Sequence, residues 1–325
     1  MQEVRWGIIG CGNVTEVKSG PAFNKVANSK LVAVMRRNGA KAKDYAERHG
    51  VEKWYDNAQQ LINDPAVNAI YIATPPSSHL FYTLSAIEAG KPVYVEKPMS
   101  LNFAEANEMY LAAKKANVKL VVAHYRRAQP MFLKIKALLD DKTIGDVRFV
   151  QLQLFQPQVK SIVAPSEENW RINPALSGGG LFHDLAPHQL DLMLYFFSEV
   201  KDQKGFSVNS AKTSAADDIV TGQLLFENGI LFNGTWCFSV ADDHSLDRCE
   251  IFGSKGKITF AIFGNQLEIT VNGETEIVDF EPLQHVQEPM IAKVVDYFLN
   301  RGDNPCDGET AAKTMMVMDS FTRLN

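Results

Sequence analysis

The sequence predicts an α/β protein. A doubly wound parallel sheet comes first, and an α+β part with a large, mainly antiparallel sheet follows. Two observations carry this. From Val4 to Ala123 short apolar runs alternate with stretches of helical periodicity, the pattern of strands joined by right-handed helical crossovers. From Asp146 onward, alternating strand patterns are linked by the hairpin signals Glu227-Asn-Gly229 and Asn272-Gly273. A chain of 325 residues is long enough for two domains, and residues 1–123 and 124–325 are the expected division.

Val4 to Ile9 is the first strand. Gly10 matches the first glycine of a dinucleotide fingerprint, which permits a tight turn. Gly12 matches the second, which lets the backbone approach a pyrophosphate at a helix amino terminus opened by Asn13 and Val14. This is Rossmann-type turn chemistry, although Thr15 replaces the third glycine. Cys11, inside the turn, reads as a space-filler. Gly20-Pro21 breaks the helix, and Pro21 can begin its continuation. Lys30 to Met35 is the second strand. An acidic residue at its end would grip a ribose 2′-hydroxyl, but the chain reads Met35-Arg36-Arg37-Asn38. Two guanidiniums offer planar donor forks that suit a 2′-phosphate. NADP is therefore the expected cofactor and NAD the second choice. The plainer alternative is a solvated arginine pair.

A helix over 41–49, a strand over 53–55 and a helix over 57–63 continue the alternation. Val67 to Ala73 is a buried strand that ends in Thr74-Pro75-Pro76-Ser-Ser-His79. This loop falls at the same sheet edge as the glycine turn, and its prolines stiffen it beside the cofactor. His79 alone would more simply be a helix-start histidine than a ligand. After a helix to Ala89, the run from Val93 ends in Glu96-Lys97-Pro98. Pro98 has no N–H, so a central strand stops before it. Lys97 is left at the carboxyl end of a buried strand, where open α/β sheets bind ligands. A strand-end lysine taken alone is more often simply solvated. A helix over 102–116 and a strand over 118–123 complete six strands.

In the second half, 130–139 is helical and 146–155 is a strand. Strands over 219–226, 230–238, 248–252, 257–263, 266–271 and 274–280 form the meander, and helices over 289–299 and 309–321 close the chain. Phe226, Phe232, Trp236 and Phe238 read as core or interface. Asp184, His188 and Asp191 are spaced four and three apart, so they share one helical face. An Asp one turn before a His can orient the imidazole and steady its charged form, which suits general acid/base work. A zinc site needs three or four ligands, and no convincing third is present, so no metal is expected. His183 reads as structural, and Pro187 as a tolerable first-turn proline.

Composition narrows the partners. The chain is 46% hydrophobic and 22% charged, ordinary for a globular protein, with a net charge of -5 and no basic block, which argues against nucleic acid. No apolar run approaches a membrane span of about 20 residues. Four scattered cysteines lack metal spacing, and the amino terminus enters a strand without a signal-like run. A cytoplasmic protein with reduced thiols is expected.

Four stretches, Gly7-Ile-Ile-Gly-Cys-Gly12, Thr74-Pro-Pro-Ser-Ser-His79, Glu96-Lys97-Pro98 and Gly178-Gly-Gly-Leu-Phe-His-Asp-Leu-Ala-Pro-His188, occur in an order and spacing that resemble the Gfo/Idh/MocA oxidoreductases, the glucose–fructose oxidoreductase and inositol dehydrogenase family. Cys306-Asp-Gly-Glu-Thr310 is similar to that family's tail, so the resemblance covers nearly the whole chain. It implies a nicotinamide cofactor, a sugar, polyol or related hydroxyl/carbonyl substrate, and Lys97 at the hydride-transfer site. Glu96 and the Thr74 loop would line the cofactor. It also implies that Tyr125 and Arg127 face the cofactor–substrate cleft, although many relatives carry Asn at the Tyr125 position. Trp170 and Arg171 would fold over the cofactor, as in NADP-dependent relatives. Ala186 stands where relatives usually have Gly. The antiparallel sheet would form a homodimer or homotetramer.

The expected enzyme is an NADP-preferring dehydrogenase or reductase acting on a carbohydrate-like CH–OH group. His188 would exchange the hydroxyl proton, with Lys97 as the competing carrier. Lys97 would stabilise the developing alkoxide, and Asp184 would orient His188 or a substrate hydroxyl. The rivals are a dinucleotide-binding regulator without turnover and a glycosidase that uses bound NAD for transient oxidation.

Overall fold

The computed structural model describes residues 1–157 and 170–322. The chain forms two compact units, one made of 1–128 and 283–315, the other of 129–157, 170–282 and 316–322.

The first unit alternates as its sequence pattern requires: β1 (Val4–Ile9), α1 (Asn13–Val17), β2 (Ser29–Met35), α2 (Gly39–His49), β3 (Lys53–Tyr55), α3 (Ala58–Asn63), β4 (Ala69–Ile72), α4 (His79–Glu88), β5 (Val93–Val95), α5 (Phe103–Ala116) and β6 (Leu120–Val122). The strands form a parallel sheet of order β3-β2-β1-β4-β5-β6. β1 pairs with β2 on one side and β4 on the other, so the winding reverses beside it. That reversal is the switch point where α/β sheets bind ligands. Asn38, Asn57 and Asn102 start α2, α3 and α5 by accepting backbone N–H bonds in their side chains. Trp6, Phe23, Tyr71 and Tyr94 are fully buried around the sheet, with ring centroids 4.8 Å apart for Trp6–Phe23 and 5.1 Å for Tyr71–Tyr94.

The helix after the glycine turn is short, and a 3-10 turn over Gly20–Asn24 carries Pro21 in its first positions. Close packing explains the break. A Cβ on Gly20 would stand 2.2 Å from both the Thr15 carbonyl and the Tyr45 hydroxyl, which are hydrogen-bonded to each other at 2.8 Å.

The second unit contains α6 (Pro130–Asp140), β7 (Val147–Phe155), α7 (Pro174–Ser177), α8 (Leu181–Phe197), β8 (Val200–Val208), β9 (Ile219–Phe226), β10 (Leu231–Cys237), β11 (Leu246–Gly253), β12 (Gly256–Phe260), β13 (Gln266–Val271) and β14 (Glu274–Asp279). Its eight-stranded sheet has the order β14-β13-β12-β11-β7-β10-β9-β8. β7 and β10 run parallel, and every other adjacent pair is antiparallel.

β8 has no counterpart among the strands expected from sequence. Its inward positions include Gly205 and Ser207, while Phe206 points outward and is 64% exposed, so the usual apolar alternation is missing. Gly205 is needed because a Cβ there would meet the Phe321 Cα and the Thr221 carbonyl oxygen at 2.7 Å. Pro187 also falls differently from expectation. α8 begins at Leu181, after the positive-φ Gly180, so the proline lies inside the helix rather than in its first turn.

After β14 the chain re-enters the first unit. Residues 283–315 carry α9 (Glu288–Phe298) and the start of α10 (Gly308–Thr322). Val122 N–H donates to the Cys306 carbonyl at 3.0 Å, and Lys119 Nζ donates to the Tyr297 carbonyl at 2.5 Å. The Cys306-Asp307-Gly tail therefore lies against β6.

Candidate functional site

In the first unit, four strand ends meet at one edge. Gly10 and Cys11 N–H both donate to the Met35 carbonyl at the end of β2, and Ala73 N–H donates to Ile9 at the end of β1. Glu96 N–H donates to Ile72, and Ala123 N–H to Val95. The loops bearing Gly10, Arg36, Thr74 and Lys97 are thereby tied in register.

Gly10 has φ +96°, and a Cβ there would stand 2.8 Å from Thr74 Cγ2 and 2.9 Å from the Ala73 carbonyl. The first glycine of the turn thus abuts the Thr74 loop. Gly12 is different. A Cβ there would meet only the Gly10 carbonyl, at 3.9 Å, so the space before the turn is open. Asn13 is exposed and Val14 half-buried beside it. Thr15 is buried, and its hydroxyl donates to the Gly12 carbonyl at 2.8 Å and accepts from Gly12 N–H at 3.0 Å. That local cap explains how a threonine serves in place of the third glycine. Cys11 is 1% exposed, and burial pushes its thiol up to about 12, which makes it inert packing.

Arg36 is half-buried and Arg37 exposed at the end of β2, with Arg36 N–H bonded to the Tyr55 carbonyl at 3.2 Å. In the Thr74 loop, Pro75 is half-buried and Pro76 buried. His79 is fully buried, and its ring nitrogens lie 2.8 Å from the Thr74 carbonyl and 3.0 Å from the Pro98 carbonyl. The imidazole thus fastens the loop after β4 to the loop after β5. Burial lowers its pKa, against the carbonyl contacts that favour the charged form.

Lys97 is half-buried, and its peptide bond to Pro98 is cis. Glu96 is 6% exposed. Its Oε2 accepts Lys97 N–H at 3.2 Å, while Oε1 accepts the Tyr71 hydroxyl and, at 2.5 Å, Gln287 Nε2. Tyr71 and Gln287 are participants that sequence reasoning missed. A phenol in the buried run Ala-Ile-Tyr-Ile needs a partner and was a usable signal. Gln287 lies 191 positions from Glu96 and offered none. Tyr125 opens a 3-10 turn, Tyr125–Ala128, in which Arg126 and Arg127 are also buried.

In the second unit, α8 carries Asp184, His188 and Asp191, all buried. Arg171 Nε donates to Asp184 Oδ2 at 3.0 Å, and the Arg171 guanidinium lies 4.4 Å from the Trp170 ring centroid. Trp170, Arg171 and Asp184 are thus brought together as a stacked ion pair. The His188 ring packs edge-on to Phe263, with centroids 5.7 Å apart. His183 lies against Gly179, where a Cβ would be 2.1 Å from its Nδ1, and burial lowers its pKa to about 4. It is a neutral packing group, which accounts for a glycine in that run.

The open space at Gly12, the tight Gly10–Thr74 approach and the strand-end arginines fit a dinucleotide. Residues 4–124 match the oxidoreductase family with an NAD-binding Rossmann fold, and residues 132–259 match the GFO/IDH/MocA C-terminal domain. The chain is 51% identical over 318 residues to oxidoreductase P35 of Formosa agariphila, covering 98% of each. It is 29% identical over 284 residues to mouse trans-1,2-dihydrobenzene-1,2-diol dehydrogenase, covering 86% of this chain and 80% of that one. Two solved structures share the fold. Aldose-aldose oxidoreductase from Caulobacter crescentus has a TM-score of 0.85 at 24% identity, with coverage of 98% and 96%. Levoglucosan dehydrogenase in complex with NADH has a TM-score of 0.88 at 19% identity, with the same coverage. With both halves of the pattern matched and half of its residues shared with a full-length relative, this chain belongs to the GFO/IDH/MocA family of NAD-binding oxidoreductases.

Proposed function

We propose that this oxidoreductase interconverts a hydroxyl and a carbonyl on a sugar, polyol or related small molecule, with NADP preferred over NAD. The observation that carries the reading is the setting of Lys97. It follows β5 at the edge that holds the glycine turn, and its N–H is fixed by the buried Glu96 carboxylate. The relatives named aldose-aldose oxidoreductase, levoglucosan dehydrogenase and dihydrobenzenediol dehydrogenase are consistent with chemistry at a carbon that bears a hydroxyl.

The nicotinamide, when bound, supplies or accepts the hydride. Gly10, Gly12, Asn13 and Val14 would hold the pyrophosphate, and Arg36 and Arg37 a 2′-phosphate. Thr74, Pro75, Pro76 and Tyr125 would line the cofactor, with Trp170 and Arg171 as a further contact. His79 and Glu96 have their polar atoms committed within the protein, so they act by shaping these loops. Lys97 stabilises the developing alkoxide by a hydrogen bond or charge. His188 exchanges the hydroxyl proton, and Asp184, held by Arg171, steadies it. A second copy of the chain would cover the sheet face that exposes Phe149, Phe206, Leu231 and Ile277. The free cysteines suit a cytoplasmic setting.

A panel of sugars and polyols with NADPH, NADH and their oxidised forms tests the reading. Net cofactor turnover by the wild type is expected, with a large loss of turnover but intact cofactor binding in Lys97→Ala. Unchanged turnover in Lys97→Ala would overturn the role of Lys97. Cofactor bound without net turnover across the panel would favour a regulator or a glycosidase.

A further inference from the structure

We propose that Gln287 is a positioning residue that sets Lys97 by holding the Glu96 carboxylate. The proposal rests on the reading of Lys97 as the group beside the reacting carbon.

The geometry forms one chain of bonds within the first unit. The Tyr94 hydroxyl donates to Gln287 Oε1 at 3.0 Å, which fixes the amide so that Nε2 faces Glu96 Oε1 at 2.5 Å. The Tyr71 hydroxyl donates to the same oxygen, and Ser19 Oγ stands 3.1 Å from that hydroxyl. The second oxygen, Oε2, takes Lys97 N–H. Gln287 is 1% exposed, and Tyr71, Tyr94 and Ser19 are fully buried. Both phenols are pushed well above their ordinary range, by burial first and then by the charge of Glu96, so both remain donors at working pH. A carboxylate held by three donors in a buried site has little freedom, and the Lys97 peptide bonded to its second oxygen shares that constraint.

The same segment grips the cofactor side. Gln287 N–H donates to the Lys18 carbonyl at 3.3 Å, and His285 Nδ1 lies 2.6 Å from the Val17 carbonyl. Residues 285–287 thus join the end of α1, which follows the glycine turn, to the peptide of Lys97. Mispositioning of a catalytic group by about 1 Å costs up to about a hundredfold in rate, so this contact has leverage on turnover without touching substrate.

The test uses the full chain with Gln287→Glu and Gln287→Leu, followed by kcat and KM against pH, cofactor binding by NADPH fluorescence, and thermal midpoint. The groups facing position 287 are Glu96, Tyr71 and Tyr94, with His79 in the field of Glu96, and Tyr125 and Cys306 in that of Tyr94. Gln287→Glu is isosteric and sets two carboxylates against each other. We expect kcat to fall about tenfold or more at pH 8 and to recover toward pH 6 as the pair shares a proton. Cofactor affinity should stay within about twofold, because the glycine turn is untouched. Gln287→Leu should lower kcat at every pH without that recovery. If Gln287→Leu does not fold, Tyr94→Phe, which removes the bond that orients the amide, should lower kcat about threefold at unchanged KM. Wild-type kcat in the folded variants, or a pH-independent loss in Gln287→Glu, would overturn the proposal. Lys97→Ala is measured alongside. If it keeps wild-type kcat, the reading of Lys97 fails. If it is inactive while the Gln287 variants match wild type, only the positioning role fails.

Discussion

Arg171 Nε meets Asp184 Oδ2 at 3.0 Å with both side chains less than a tenth exposed, so the acid expected to serve His188 is engaged by a guanidinium. Removing one partner of a buried pair strands the other charge. Arg171→Leu should therefore destabilise the protein by about 3 kcal/mol, more than Asp184→Asn. Denaturant titration of the two variants checks the order. A fall in kcat for Asp184→Asn without a shift in midpoint would tie this carboxylate to His188.

Gly10→Ala tests the tight turn. The new methyl would press on Thr74 Cγ2 and the Ala73 carbonyl from a backbone with φ +96°. Strain of this kind costs about 2 kcal/mol, and the loop that follows must shift. The expected result is a lowered unfolding midpoint and loss of NADPH binding by fluorescence. Gly12→Ala has open space before it, so it should lose binding with little change in midpoint.

Cofactor choice is tested at Arg36 and Arg37. If these side chains grip a 2′-phosphate, the double Ala variant should weaken NADPH binding by tenfold or more, a loss of about 1.4 kcal/mol or greater. NADH affinity should change little, because it lacks that group. Equal losses for both cofactors would end the NADP preference.

Glu16 gives a pH signature. Arg48 binds both of its oxygens at 2.8 Å, chiefly lowering its pKa to about 2 from an ordinary 4.5, with His49 adding to the effect. A folded pKa below the unfolded one means stability that is present above about pH 4.5 and lost as pH falls through about 2. The pair is partly exposed, so the contribution is below about 1 kcal/mol. Glu16→Gln should be slightly less stable than wild type at pH 7. The difference should close on acidification through that window, as read from melting midpoints.

Cysteine reactivity provides a further check on the glycine turn. Cys11, Cys249 and Cys306 are buried, and burial drives the Cys11 thiol up to about 12. Iodoacetamide at pH 8 should modify Cys237 first, with Cys11 labelled only on unfolding, as read by peptide mass mapping.

Much of the first unit was legible because its strands are short apolar runs punctuated by turn chemistry. Gly10, Pro98 and the caps at Asn57 and Asn102 each act within a few residues of themselves. The meander of the second unit was legible for the same reason, through alternation and the Asn272-Gly273 turn, where both residues take positive φ. β8 was hidden because its inward positions are Gly205, set by the bulk of Phe321, and the polar Ser207, so no apolar alternation marks the strand. At the candidate site, the residue types at strand ends could be read, but their partners could not. Arg171–Asp184, His79 between two carbonyls, and Gln287 on Glu96 are all set by tertiary placement. Among the residues around Glu96, only Tyr71 announced a need for a partner from its own strand.

The return of residues 283–315 gives the first unit an order of assembly. During synthesis, β1 to β6 leave the ribosome long before Gln287, so Tyr94 and the Glu96 carboxylate wait without their shared amide while the entire second sheet is made. A chain halted after Pro282 would hold a nearly complete parallel sheet whose Lys97 loop lacks its clasp. The amino-terminal unit is thus finished only after the sheet of the second unit has been synthesised. A graft or truncation that takes residues 1–128 alone would carry the glycine turn and Lys97 away from the segment that holds Glu96.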